Sequence, residues 1–138
     1  MNERTKTLEQ LENDYWGEPP INSSSLVSVC YKLRKKRVEE FEAEDLRIMI
    51  NQNIGLIYLI PISITVLKES PFTETSYYEG DLLKSVLSCD SKFWKNHQNM
   101  KAEMSKIVKD NFEKISKLNN TIEINSELEK IAIDFINK

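Results

Sequence analysis

The residues able to do chemistry in this chain are few and scattered. There is one histidine, His97, and there are two cysteines, Cys30 and Cys89. A two-histidine zinc pair is therefore impossible, and two cysteines are too few for a structural metal site. Their spacing matches neither a CxxC motif nor a disulfide framework. A Cys–His dyad built from Cys30 or Cys89 with His97 has no supporting motif around it. His97 stands between Asn96 and Gln98 near an expected helix start, where a solvated cap-region histidine is the ordinary outcome. The three glycines, at 17, 55 and 80, are too dispersed for a phosphate-cradling loop. Carboxylates abound, but acid–base pairs need a cleft, and Glu39 to Asp45 reads as a solvated helix N-terminus. The basic run Lys32 to Arg37 could touch phosphate. A helix C-terminus explains it equally well, and it lacks the interleaved aromatics of single-strand binders. The expectation is no catalytic, cofactor or metal site.

What stands out instead is the setting of aromatic residues beside acids in expected loops. Tyr15 and Trp16 lie among Glu12, Asp14 and Glu18; Tyr77 and Tyr78 lie among Glu74, Glu79 and Asp81. Aromatic anchors with a charged rim suit a protein interface. Trp16 also has a plainer role open to it, packing down on the helices as a loop clamp. Glu12, Asp14, Glu18, Glu74, Tyr77 and Glu79 are the candidate partner-facing residues.

The elements that must carry these loops read as helices. Thr7 caps a first helix, with Gln10 at the capping-box position and Leu8 and Leu11 on one face. The Pro19-Pro20 pair ends it. Ser23-Ser24-Ser25 offers caps to a second helix, whose stripe is Leu26, Val29, Cys30 and Leu33. Cys30 on that stripe is expected to be a small buried thiol. Cations then close this helix and acids open the next, in agreement with both dipole ends. The third helix turns Leu46, Met49 and Ile50 inward. The fourth, from about Ile54, is apolar nearly all round and belongs at the bundle centre. Its β-branched residues also allow a strand, although Pro61 argues against a central one. After a polar loop from Ser70 to Gly80, Asp81 can cap a helix bearing Leu82, Leu83, Val86 and Leu87. Asp90 or Ser91 starts another turn with Phe93 and Trp94. Met100, Met104, Ile107, Val108, Phe112, Ile115 and Leu118 then fit one long amphipathic helix, followed by a last segment from Ser126 to Asn137.

The class expected is all-α: a single-domain, compact helical bundle of about six to eight helices over residues 1–138. Composition agrees, with 40% apolar and 30% charged residues and only 3 Gly among 138, too few for the turns of an all-β fold. The net charge of −3 makes nucleic acid an unexpected direct partner but suits a basic protein. The N-terminus lacks the apolar core of a signal peptide, and the run Ile54 to Leu67 falls short of the ~20 residues needed to cross a bilayer. A soluble, cytoplasmic protein with no membrane contact is expected.

Ordered pieces of the chain carry a family resemblance. They are Leu8-Glu9-Gln10-Leu11-Glu12-Asn13-Asp14-Tyr15-Trp16-Gly17-Glu18-Pro19-Pro20, then Ser24-Ser25-Leu26-Val27 with Cys30-Tyr31-Lys32-Leu33-Arg34, then Glu44-Asp45-Leu46-Arg47. The series continues through Gln52-Asn53-Ile54-Gly55-Leu56, Tyr58-Leu59-Ile60-Pro61 and Tyr78-Glu79-Gly80-Asp81-Leu82-Leu83 to Phe93-Trp94. Together, over about residues 7–95, the series resembles the immunity proteins of contact-dependent growth inhibition (CDI) systems, the CdiI family. Arg37, Asn51 and Glu79 stand where that pattern commonly has proline, glycine and proline, changes confined to loops. The Lys/Asn-rich stretch 96–138 lies outside the resemblance. The resemblance implies an immunity protein that neutralises the C-terminal toxin domain, often a nuclease, of a cognate CdiA effector. A monomer, or one copy per toxin, is expected, with the six acidic and aromatic loop residues facing the toxin. A helical adaptor outside any toxin system and a small enzyme are the competing readings.

Overall fold

In the computed structural model, residues 3–119 and 126–138 are described. Among them are nine α-helices, and two isolated β-bridges stand outside them. The helices are α1 (Leu8–Glu12), α2 (Ser25–Arg34), α3 (Ala43–Asn51), α4 (Leu56–Glu69), α5 (Asp81–Ser88), α6 (Ser91–Asn96), α7 (Gln98–Asp110), α8 (Phe112–Asn119) and α9 (Ser126–Ile136). Short 3-10 turns occupy Glu3–Thr5 and Val38–Glu40.

The expected caps are in place where sequence chemistry alone decides them. The Thr7 amide donates to Gln10 Oε1 at 2.9 Å and the Gln10 amide donates to Thr7 Oγ1 at 3.2 Å, a complete capping box. Ser24 Oγ accepts from the Val27 amide at 3.2 Å to start α2, and Asp90 Oδ1 accepts from the Lys92 amide at 3.0 Å to start α6. The segment that could have been strand or helix is helix α4. Its Pro61 has no amide for the Ile57 carbonyl, and Ile57 is exposed, so water can serve that carbonyl.

Leu8, Leu46, Met49, Ile50, Leu59, Ile60, Leu67, Leu82, Leu83 and Met104 meet in one core. The closest helix pairing is α3 against α5, while α9 packs on α5, α7 and α8. Lys84 Nζ donates to Glu127 at 2.8 Å, tying α5 to α9.

Four details depart from the sequence expectation. The C-terminal stripe is carried by α7 and α8 with a break at Asn111, whose Nδ2 donates to the Ile107 carbonyl at 2.8 Å. That side chain competes for the carbonyl a continuing helix would use. Only Cys30 and Leu33 of the α2 stripe are buried; Leu26 and Val29 are exposed. α4 is sided, with Ile57 and Thr65 outward. Asp81 sits inside α5 after Gly80, and its carboxylate serves the preceding loop instead of the helix end.

Candidate functional site

The chemically versatile side chains are committed to packing. His97 stacks on Phe93 with ring centroids 4.3 Å apart, and its Nδ1 lies 2.7 Å from the Phe93 carbonyl. Cys30 and Cys89 are buried free thiols. Burial pushes the Cys30 pKa up and that of Cys89 up to about 12, so neither forms a thiolate nucleophile near neutrality. Among the described residues, no cluster of His, Cys, Asp and Glu could hold a metal ion. Nor, among the described residues, is any helix long and apolar enough to cross a membrane.

The first acidic–aromatic loop follows α1 and is organised by Arg34 at the end of α2. Arg34 is 1% exposed. Its Nη1 donates to Glu12 Oε1 and its Nη2 donates to the Asp14 carbonyl at 2.5 Å. The Trp16 ring lies over it at 4.3 Å and meets Tyr31 edge-on at 5.0 Å. Trp16 Nε1 in turn donates to Asp14 Oδ2 at 3.2 Å, and Lys35 Nζ donates to the Gly17 carbonyl at 2.7 Å. A cation between a carboxylate, a carbonyl and an aromatic face is a strong anchor once desolvated. Trp16 is thus the loop clamp. The chain leaves α1 at Asn13, and Gly17 and Asn22 turn the loop that follows, all three at positive φ.

The second loop, before α5, is organised by Arg47 and Asp81. The Asp81 carboxylate accepts from the Thr75 amide at 2.9 Å, the Thr75 hydroxyl at 2.5 Å and the Tyr77 amide at 3.1 Å, with the Tyr78 amide at 3.4 Å. Arg47 Nε donates to Thr75 Oγ1 at 2.8 Å and lies 3.9 Å from Asp81, while Nη2 donates to Glu44. Ser76 Oγ also donates to Glu44, and the Tyr77 ring lies 4.5 Å over the Arg47 guanidinium. Burial alone would raise the Asp81 pKa. The hydrogen bonds from Thr75, Tyr77 and Tyr78 outweigh it and hold the carboxyl below its ordinary value.

These contacts divide the six residues singled out in the sequence. Glu12 and Asp14 face solvent in part but spend their acceptors on Arg34 and Trp16. Glu18, Glu74 and Glu79 are exposed, and Tyr77 is 71% exposed while resting on Arg47. The residues that sequence reasoning missed are the two clamps. Arg34 is hidden in the run Lys32 to Arg37, although it stands four residues after Cys30 on the buried face of α2. Arg47 is buried beside Leu46 and Met49 in the same way.

An open groove of about 880 Å³ runs between the α5–α6 corner and α9, lined by Cys89, Trp94, Lys101, Ile131 and Phe135 among others. Trp94 Nε1 is buried there beside the Cys89 thiol. The Cys89 thiol in the groove's lining stays protonated near neutrality.

Comparison with curated proteins gave no match. The family model of the CDI immunity proteins matches residues 10–104, more than half of the chain and including both arginine-clamped loops. The chain belongs to the family of contact-dependent growth inhibition immunity proteins.

Proposed function

We propose that this protein binds and neutralises the C-terminal toxin domain of a cognate CdiA effector in the cytoplasm of the producing bacterium. It acts without turnover, as one domain and one copy per toxin, through surfaces that include Glu12, Asp14, Glu18, Glu74, Tyr77 and Glu79. The observation that carries this reading is the match to the immunity proteins over residues 10–104. The arginine-clamped loops support it, because side chains already held in place lose less entropy when a partner docks. The net charge of −3 suits a toxin that is a nuclease, since carboxylates can occupy a groove built for phosphate.

Co-expression with the cognate toxin domain, followed by co-purification and a growth assay, tests the reading. A stable complex and restored growth are expected; free toxin and dead cells would sink it. Reversing the charge of Glu18 and Glu79 together is expected to weaken binding by about tenfold, mainly through the association rate, and to flatten its salt dependence. Unchanged affinity in the double variant would remove these two acids from the interface.

A further inference from the structure

Among the described residues, most of the large exposed apolar side chains fall in one stretch. Tyr15, Trp16, Ile21, Leu26, Val27 and Val29 are all exposed, Ile21 at 92% and Leu26 at 45%. Elsewhere among the described residues, the large exposed apolar side chains are Ile57 on α4, Tyr77 in the loop before α5 and Ile133 on α9. The α2 stripe has the periodicity of a buried face, yet the bundle covers only its second half, where Cys30 and Leu33 are buried. Every residue from Ser25 to Val29 is exposed. A soluble protein that keeps a clustered apolar patch on an ordered helix presents a surface for something to cover.

The patch is held in shape before anything docks. Ser24 caps α2, and the loop doubles back along the helix through Trp16 on Tyr31 and Lys35 on the Gly17 carbonyl. The charges around it select the occupant. Arg34 turns inward, to Glu12 and the Asp14 carbonyl, and Lys35 lies along the surface with its Nζ on the Gly17 carbonyl. Asp14 and Glu18 remain on the exposed loop, and the exposed cations Lys32 and Lys35 lie towards and just past the far end of α2. In a two-fold pairing of this chain with itself, this same patch would face its own copy and bring its acids together. A basic protein face with apolar pockets complements both the patch and its rim.

We infer that the exposed first half of α2, with Tyr15 and Ile21, is the apolar anchor of the toxin interface, and that Asp14 and Glu18 form its acidic rim. This rests on the toxin-binding reading above. In such an interface the central apolar contacts set the dissociation rate, and the rim charges steer the approach.

The test compares the full-length protein with the triple variant Ile21→Gln, Leu26→Gln, Val29→Gln, titrated calorimetrically against the purified toxin domain. Ile57→Gln, an equally exposed change on α4, is the control. Because the three positions are exposed, the unfolding midpoint should hold. The toxin Kd is expected to rise by at least about tenfold in the triple variant and to stay within about twofold in the control. Unchanged triple-variant affinity beside tight wild-type binding overturns the anchor and leaves the immunity reading standing. Absence of wild-type binding overturns both. A concentration-dependent dimer in sedimentation, dissolved by the triple variant, would assign the patch to a second copy of this chain and overturn the inference.

Discussion

Two loops of this protein use the same part, a buried arginine under an aromatic ring, and differ in how they are closed. Around Arg47 the bonds form a network: Glu44 and Thr75 hold the guanidinium, and Asp81 holds the backbone amides of Thr75, Tyr77 and Tyr78. Around Arg34 the guanidinium reaches Glu12 and the Asp14 carbonyl, but its Nε has no partner, and the bonds reach only as far along the loop as Gly17. Beyond it, Ser23 merely donates to the Pro20 carbonyl next door. One loop is locked along its length; the other is pinned at its root, and its far part carries Ile21 and the start of α2 into solvent. A carboxylate that collects backbone amides fixes a loop's path, whereas an arginine that collects one end fixes only where it begins.

The largest expected effect separates the two clamps. Asp81→Ala strips four donors of their acceptor and leaves Arg47 with less counter-charge, so a loss of about 3–5 kcal/mol is expected in urea unfolding. Arg34→Met keeps the aliphatic packing and frees Glu12, which is partly exposed and can return to water. A loss of about 1–2 kcal/mol is expected, with the emission of Trp16 altered as the guanidinium leaves its ring. Equal losses would mean that both loops are networks, and the contrast would fail.

Each loop also contains a left-handed glycine, and these allow a finer test. Gly80 has φ +91°, and a Cβ there would come within 3.3 Å of Leu128 Cδ2 on α9. Gly17 has φ +76°, and a Cβ would meet nothing within 4 Å. Gly80→Ala is expected to cost about 2–3 kcal/mol and Gly17→Ala about 1 kcal/mol, the latter being backbone strain alone. Thermal unfolding of the two variants side by side decides it; a costlier Gly17→Ala would mean that the first loop is held more tightly than its contacts indicate.

The smallest effect near neutrality concerns pH. The folded pKa of Asp81 lies below its ordinary value, so its stabilising contribution is complete above the unfolded carboxylate value of about 3.9. It is lost as pH falls through the lower folded value. Asp81→Asn should therefore be less stable than wild type from neutrality down to about pH 4, with the gap closing below that. Urea midpoints at several pH values measure it, and a gap that widened in acid would refute the assignment.

Much of the helical frame was legible in the residues. The Thr7–Gln10 box, the Ser24 and Asp90 caps and the inward Leu46, Met49 and Ile50 all follow from chemistry within a few positions of chain, whereas α1 stops at a left-handed Asn13 well before Pro19-Pro20. The candidate site was legible only as composition. Acids and aromatics share the two loops, but nothing local distinguishes Glu12, turned to Arg34, from Glu18, left in solvent. The break at Asn111 escaped notice because the apolar spacing runs through it unchanged.

The sequence by itself determined that the chain is helical, where most of its helices begin, and, through residues 10–104, which family it belongs to. Tertiary structure alone decided which charges are buried and which apolar residues are not. Arg34 meets Glu12 across 22 positions, and Arg47 meets Thr75 across 28. Leu26 and Val29 carry a core pattern that the bundle does not cover. Caps and periodicity are settled between near neighbours along the chain. Burial of an arginine, or exposure of a leucine, depends on what the rest of the fold brings against it.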